Sequence, residues 1–225
     1  MKMIVISLGG SLVVPGEIDV DYLKKFKALI EKYSSQEFRF VIIVGGGSVC
    51  RKYQKAMTEI IGDNREGADW LGISVTHLNA QLVKSMFTDV YPEVIMDPTQ
   101  KIDFKEKILV AAGWKPGFSS DMDAVLLAKN LGADKMINLT NVAYVYDKDP
   151  KFFDDAKKFE DLSWKDFRKI VGDEWNPGLN LPFDPIASLE AEKNKLTVII
   201  AKGLDLPNFK DILDGEKFKG TTIHA

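Results

Sequence analysis

Ile4-Val5-Ile6-Ser7-Leu8 runs directly into Gly9-Gly10-Ser11, and Phe40-Val41-Ile42-Ile43-Val44 runs in the same way into Gly45-Gly46-Gly47-Ser48. Each apolar run has the length and the β-branched content of a strand that is buried on both faces. Helical spacing follows each glycine run, so the glycines are expected at the carboxyl ends of parallel strands, just before helix N-termini. Bare backbone N–H groups at that position attract phosphate. Glycine also allows a tight turn without any ligand, but two similar loops together favour phosphate binding.

The composition is that of an ordinary globular protein. The 225 residues are enough for one large α/β domain or two small ones, with 45% hydrophobic residues, 28% charged residues and a net charge of -3. No basic stripe indicates a nucleic-acid surface. The single cysteine, Cys50, cannot form an intramolecular disulfide, which predicts a reducing compartment and a packing role for that residue. The first apolar run is too short for a signal or a membrane span, so we expect a cytoplasmic protein with no membrane partner.

Strand and helix patterns alternate along the sequence, which predicts one open, mostly parallel sheet with helices on both faces. We expect strands at 4–8, 40–44, 94–96, 108–112, 136–139 and 197–201, and helices at 48–61, 69–87 and 122–131, with one more opened by Ser163 and one carrying Leu23, Phe26, Ile30 and Tyr33. Leu71, Val75, Leu78, Leu82 and Met86 should form the apolar face of the helix at 69–87, and the polar residues 62–67 should form a loop. Gly172–Pro185 has neither pattern, and a surface loop and a subunit contact or lid are equally open for it.

Two further loops carry polar side chains at predicted strand ends. The hydroxyls and N–H groups of Gly113–Asp121 can hold a second phosphate or a nucleoside, and Asp121 either caps the next helix or lies near a transferring phosphoryl group. Thr140–Pro150 has the composition to hold a purine and a ribose. Arg51, one turn beyond the triple glycine, either reaches back to a bound phosphate or is a solvated helix residue. Neither glycine run is a Walker A loop or a dinucleotide fingerprint.

These elements, in this order, resemble the amino acid kinase family, and within it the archaeal type of UMP (uridylate) kinase. The closing Gly220-Thr221-Thr222-Ile223 is similar to the terminal strand of that family. The resemblance implies a single domain over residues 1–225, a three-layer α/β/α sandwich, with an acceptor part at about 1–125 and an ATP part at about 126–225. It also implies Mg²⁺-dependent transfer of the γ-phosphoryl group of ATP to UMP and a homo-oligomer, usually a hexamer.

The resemblance further implies, position by position, which residues hold each substrate. The residues expected at ATP are Gly9, Gly10, Ser11, Gly47, Arg51, Thr140, Asn141, Tyr146 and Asp149. Those expected at UMP are Gly46, Asp69, Trp114, Lys115, Pro116, Gly117, Phe118, Ser119 and Ser120, with Asp69 on the ribose hydroxyls. The candidate catalytic residues are Arg51, Asp121 and Lys115. No residue is expected to be a dedicated metal ligand, because Mg²⁺ would bridge the ATP phosphates.

The sequence departs from the family pattern at one charged position. Ser7 stands where many relatives place a lysine that neutralises the moving phosphoryl group, and Lys115 is the candidate replacement, ahead of Lys148 and Lys202. Two alternatives to a UMP kinase therefore stay open. One is an enzyme of this fold with another small anionic acceptor, although Trp114 and Asp69 favour a nucleotide as the acceptor. The other is a non-catalytic nucleotide-binding or oxyanion-binding protein, which the missing lysine keeps open.

Overall fold

The computed structural model describes residues 2–150, 152–172 and 181–225. Its strands are β1 (Lys2–Leu8), β2 (Phe38–Val44), β3 (Ile108–Ala111), β4 (Lys135–Thr140), β5 (Val145–Tyr146), β6 (Lys158–Phe159), β7 (Asp161–Ser163), β8 (Thr197–Lys202) and β9 (Thr221–His224). Its helices are α1 (Gly10–Val13), α2 (Val20–Ser34), α3 (Gly47–Ile61), α4 (Arg65–Ser85), α5 (Ser120–Leu131), α6 (Trp164–Val171), α7 (Pro185–Lys193) and α8 (Leu206–Asp214). Most of Gly172–Pro185, for which a loop, contact or lid was predicted, lies outside the described residues.

A seven-stranded sheet with the order β3-β2-β1-β4-β8-β9-β7 forms the centre of the fold. The strands from β3 to β8 in that order pair in parallel, whereas β9 runs antiparallel to β8 and parallel to β7. The mostly parallel sheet predicted from the sequence is therefore confirmed. The carboxyl ends of β1, β2 and β4 lie side by side, which brings the loops that follow them to one edge.

The sheet is covered on both faces, as its near-continuous apolar strands require. Successive residues of β1 alternate between two cores: Ile4, Ile6 and Leu8 pack in the first and Val5 in the second. Helices α2, α4 and α8 contribute to the first core, and α5, α6 and α7 contribute to the second. The three-layer α/β/α arrangement is confirmed. In the described part of the chain, no helix has the length and apolar character needed to cross a membrane.

Helix α4 corrects two predictions. It begins at Arg65, inside the predicted loop at 62–67, because the Asn64 side chain accepts a hydrogen bond from Gly67 N and caps it at 2.9 Å. Of the predicted apolar face, Val75 is buried and Leu82 and Met86 pack against the first core as expected, whereas Leu78 does not. Leu78 is 70% exposed, and the buried positions are Gly72, Ile73, Val75, Thr76, Asn79, Ala80 and Val83. Small and polar residues were not counted as core-facing in the sequence pattern, although they are what allows α4 to approach the loops closely.

The predicted strand at 94–96 is also wrong. Only Ile95 forms a bridge, to Ala111, and no continuous ladder follows. The predicted α2 is confirmed, with the Asp19 carboxylate accepting from Tyr22 N at 2.9 Å at its start. The capping function predicted for Ser163 at α6 is confirmed as well, since its hydroxyl accepts from Asp166 N at 3.1 Å.

Candidate active site

The two glycine loops touch each other through their backbones. A Cβ atom on Gly10 would lie 2.2 Å from Gly47 N and 2.3 Å from Gly45 O, so no other residue fits at that position without a shift of backbone. Gly47 has a φ of +68°, which favours glycine. The Asn79 side chain of α4 donates to Gly45 O at 3.0 Å and to Gly46 O at 3.2 Å. The glycines therefore join two loops into one surface, and Asn79, which the sequence reasoning missed, fixes it.

Arg51 spans the same two loops. Its Nη2 donates to Ser11 Oγ at 3.3 Å, so the guanidinium from α3 lies at the loop that follows β1. Helix α3 begins after Gly46 with no side-chain cap, and in its first turn Ser48 N donates to Val14 O at 3.4 Å, so the other N–H groups at this helix start are the ones that can face an anion. The sequence predicted that Gly10, Ser11, Gly47 and Arg51 belong to one site, and they lie together in the structure. A cation and a helix N-terminus that converge in this way form a suitable place for phosphate groups.

Asp121 faces the sheet, and Ser119 is the residue that caps α5, accepting from Met122 N at 3.1 Å. Asp121 Oδ1 accepts from Ser7 Oγ at 3.1 Å, and its Oδ2 accepts from Asp184 N at 3.2 Å. Burial, followed by the nearby Asp184 charge, raises the pKa of Asp121 to about 7, although the Ser7 bond acts in the opposite direction. The capping alternative for Asp121 is therefore wrong, and the residue is a partly buried carboxyl group beside the first glycine loop.

One cavity of about 220 Å³ lies beside the triple glycine. It is lined by Gly46, Cys50, Gln54, Asp69, Gly72, Ile73, Thr76, Gly113, Phe118 and Ser120. The sequence predicted Gly46, Asp69, Phe118 and Ser120 for this place, and it missed Cys50 and Gln54. The signal for these two was available, since they follow Gly46 at intervals of four residues and so face the same side of α3. Cys50 has a raised pKa, mainly because of burial, which agrees with a packing role better than with a reactive thiol.

The segment Gly113–Ser120, called the acceptor loop below, closes one side of this cavity. Gly113 N donates to Thr76 Oγ1 at 2.8 Å, and Gly117 N donates to Asp69 Oδ2 at 3.0 Å. One Asp69 oxygen is therefore engaged by the loop, while the same side chain lines the cavity. Both anchoring side chains belong to α4, so this helix sets the distance between the loop and the triple glycine.

Several predicted residues of the acceptor loop do not line the cavity. The Lys115 ammonium lies 3.7 Å from the centre of the Trp114 ring and 4.9 Å from that of Phe118. Such cation–π contacts hold the side chain on its own loop, and no contact with Asp121 accompanies them. Trp114, Lys115, Pro116, Gly117 and Ser119 are the loop residues absent from the cavity lining. These five residues form the loop itself, whereas Phe118 and Ser120 line the cavity.

A second cavity, of about 250 Å³, follows the end of β4. Asn141, Tyr146 and Asp149 line it as predicted, whereas Thr140 lies behind it and donates to Asn141 Oδ1 at 3.3 Å. Val142, Tyr144, Asp147, Lys148 and Pro150 also line it, and they belong to the segment Thr140–Pro150 that the sequence predicted for this place, whereas the sequence missed Ile170, Val171, Leu181 and Pro182. Apolar walls with a few polar groups suit a flat heterocycle joined to a sugar. Gly9 N donates to Leu139 O at 3.0 Å, which connects this side of the site to the first glycine loop.

Comparison with known proteins agrees with this geometry. Residues 2–202 match the model of the amino acid kinase family. The uridylate kinase of Thermoplasma volcanium is 33% identical over 99% of this chain and 97% of its own length, and that of Pyrococcus abyssi is 33% identical over 98% of each. The crystal structure of the uridylate kinase from Archaeoglobus fulgidus has a TM-score of 0.84 and 32% identity, covering 99% of this chain and 100% of that one. The chain belongs to the amino acid kinase family.

Proposed function

We propose that this protein is a uridylate kinase, which transfers the γ-phosphoryl group of ATP to UMP and gives ADP and UDP, a step of pyrimidine nucleotide synthesis. The observation that carries the proposal is the pair of cavities on either side of the joined glycine loops. Gly46 borders the cavity that contains Asp69, and Gly9 is bonded to the strand end from which the other cavity begins. UMP is assigned to the first cavity and ATP to the second, in agreement with acceptor and ATP parts at about 1–125 and 126–225.

The chemistry asks for positioning and for neutralisation of charge. A phosphate oxygen of UMP attacks the γ-phosphorus of ATP, and the bond to the bridging oxygen of ADP breaks. The acceptor is already an anion, so no general base has to remove a proton from it. Backbone N–H groups of the glycine loops and the Arg51 guanidinium supply positive charge where the two sets of phosphates meet. Gly9, Gly10, Ser11 and Gly47 belong to this surface.

The protonation state of Asp121 matters because its side-chain partner on β1 is Ser7 and not a lysine. A negative carboxylate without a lysine beside it would repel the phosphates, and burial together with Asp184 counters this by raising the pKa of Asp121 to about 7. A protonated Asp121 beside the first glycine loop can tolerate a phosphoryl group and donate to it. We propose Arg51 and Asp121 as catalytic residues. Lys115 is a third candidate, which would contribute only after its ammonium leaves Trp114.

The remaining part of the proposal is the Mg²⁺ ion. The described residues contain no cluster of three or more histidine, cysteine, aspartate or glutamate side chains suited to a metal ion. We propose that the ion arrives with ATP, because Mg²⁺ keeps several waters and is held largely by substrate phosphates. When bound, Mg²⁺ would neutralise charge on the ATP phosphates. Arg51 and the glycine loops would then position the phosphates that hold it.

We also propose that the protein forms a homo-oligomer in the cytoplasm, with a hexamer as the expected form. Helix α3 contains no buried residue, and large apolar side chains of α3 and α4 are exposed, namely Tyr53, Ile60, Ile61, Trp70 and Leu78. Apolar surface of this extent is characteristic of an interaction face, and a second copy of the chain is the proposed partner. Light scattering at micromolar concentration should give a mass several times that of the 25.2 kDa chain.

A coupled assay of ADP release with a panel of acceptors tests the proposed function. The panel contains UMP, other nucleoside monophosphates, carbamate and small carboxylates. ADP release that depends on UMP supports a uridylate kinase. Release with carbamate or a carboxylate in place of UMP would assign a different acceptor. ATP binding without release for any acceptor would assign a non-catalytic nucleotide-binding protein.

A further inference from the structure

Asp123 is a buried carboxyl group that the proposed chemistry leaves unused. It lies in the first turn of α5 and is 0% exposed. Its Oδ2 accepts from Trp114 N at 3.1 Å, whereas its Oδ1 has no hydrogen-bond partner within the described ranges. A buried carboxyl oxygen without a partner destabilises a protein. Stability alone does not explain a carboxyl group at this position. Its hydrogen bond to Trp114 N indicates a role in the acceptor loop.

The Trp114 N–H group marks the start of the acceptor loop. The preceding residue is fixed on both sides of its peptide, because Gly113 N donates to Thr76 Oγ1 and Gly113 O lies 2.8 Å from His77 Nε2. Asp123 holds the next residue, Trp114, through its backbone N–H. Asp123 belongs to α5, which is the helix that follows the acceptor loop. Since Ser119 caps the same helix, both ends of the loop are tied to the first turn of α5. The position of that turn is thereby transmitted to the residues of the loop that face the cavity.

The surroundings of Asp123 place its protonation in the neutral range. Burial is the largest influence and raises its pKa to about 7, with further increases from Asp121 and Asp97, while the bond from Trp114 N lowers it. The pKa of Asp97 is itself lowered, mainly by hydrogen bonds from Thr99 and to a smaller extent by Lys115. A charged acceptor makes a stronger hydrogen bond than a neutral one. A proton on Asp123 therefore weakens the anchor of the acceptor loop.

We propose that Asp123 is a positioning residue for UMP: its buried carboxylate holds Trp114 N and so fixes the acceptor loop, whose Phe118 and Ser120 line the UMP cavity. The inference rests on the proposed function and goes beyond it, because it makes the capture of UMP, and not that of ATP, depend on a group outside both cavities. Loss of the charge on Asp123 loosens the loop and lowers the affinity for UMP.

Asp123→Asn is the decisive variant, since asparagine keeps the size and an acceptor oxygen but does not titrate. UMP affinity is measured by calorimetry and by the KM for UMP, and ATP affinity by its KM, for both proteins between pH 6 and pH 8.5. The UMP phosphate has its own second pKa near 6, which acts on both proteins equally and cancels in their ratio. We expect the wild-type affinity for UMP to fall about threefold more than that of Asp123→Asn between pH 8 and pH 6, in the range of a changed hydrogen bond. The pH dependence of the ATP KM should be the same for both.

Asp123→Ala removes the acceptor at every pH, and should raise the KM for UMP roughly tenfold, as for the loss of a bond to a charged group, with the KM for ATP unchanged. Asp103→Asn, at an exposed position, is the matched control and should change neither constant. Coincident pH profiles of UMP affinity for wild type and Asp123→Asn would overturn the inference alone. A wild-type protein that neither binds UMP nor releases ADP with it would overturn the proposed function and this inference together. If Asp123→Ala does not fold, the pH profiles of UMP affinity for wild type and Asp123→Asn still test the inference.

Discussion

The hydroxyl of Ser7 donates a hydrogen bond to Asp121 Oδ1 across 3.1 Å, joining β1 to α5 at the first glycine loop. The hydroxyl of Ser7 is thus the side-chain partner that meets the Asp121 carboxyl group from β1. A lysine at position 7 would hold Asp121 in its charged form, whereas a serine provides only a neutral donor. With a pKa raised to about 7, mainly by desolvation, Asp121 is a group whose charge depends on pH near neutrality.

The stability of the protein should depend on the protonation of Asp121. Its pKa of about 7 in the folded protein lies above the value of about 3.9 in an unfolded chain. Protonation therefore favours folding, so this contribution is complete below pH 4 and is lost as the pH rises through 7. Asp121→Asn keeps an oxygen that can accept from Asp184 N and an amide that can donate to Ser7 Oγ, but it has no charge to bury. Its melting temperature, measured by calorimetry, should improve relative to wild type between pH 5 and pH 8, while a difference that stays constant would count against a titrating Asp121.

Gly10→Ala tests the contact between the glycine loops. A Cβ atom there would meet Gly47 N at 2.2 Å, so the loops must separate, which costs on the order of 1–3 kcal/mol. We expect a lower melting temperature and weaker binding of both ATP and UMP. Gly16→Ala is the matched control, because nothing lies within 4 Å of a Cβ atom at that position. Normal binding of both nucleotides by Gly10→Ala would show that the loops do not form a shared phosphate surface.

Asp69→Asn should affect one substrate only. Asp69 lies in the acceptor cavity and also accepts from Gly117 N, so its loss removes a ribose contact and loosens the acceptor loop. The KM for UMP should rise at least tenfold, which corresponds to about 1.4 kcal/mol, and the KM for ATP should change little. Asp63→Asn, at an exposed position before α4, serves as the control. Equal increases in both KM values would remove Asp69 from the acceptor site.

Arg51→Met and Lys115→Met separate the two candidate cations. Arg51 spans the two loops, and loss of a transition-state contact of this kind typically lowers kcat by roughly 10²–10³. Lys115 must leave the Trp114 ring before it can reach a phosphate, so we expect a smaller fall in kcat for Lys115→Met than for Arg51→Met. Steady-state kinetics with both substrates near saturation makes the comparison. A fall for Lys115→Met as large as that for Arg51→Met would make Lys115 a principal catalytic cation.

The sequence predicted the fold well because the fold depends on local pattern. Apolar runs of strand length alternate with helical spacing, and the glycine runs mark where strands become helices. The same local reasoning failed on α4. Its buried face consists largely of small and polar residues, including Thr76 and Asn79, whose burial is explained by hydrogen bonds to distant loops that no periodicity reports.

The site was predictable where its residues lie on the loops themselves, and less so where side chains arrive from neighbouring helices. Gly46, Phe118 and Ser120, at the glycine run and the acceptor loop, line one cavity as predicted, whereas Gln54 reaches that cavity from α3. Asp69, which lies on α4, was predicted only through the family resemblance. Asp121 shows the limit most clearly. The sequence left open whether Asp121 caps α5 or lies near a phosphoryl group, because the contact of Asp121 with Ser7 joins residues that are 114 positions apart.

The most direct test of the account is ³¹P NMR of a reaction with ATP, Mg²⁺ and an equimolar mixture of UMP, CMP, GMP and AMP. The acceptor cavity with Asp69 and the acceptor loop predicts that UDP and ADP accumulate together, with UMP consumed several times faster than the other three acceptors. Equal consumption of all four nucleotides, or hydrolysis of ATP with no UDP formed, would contradict the account.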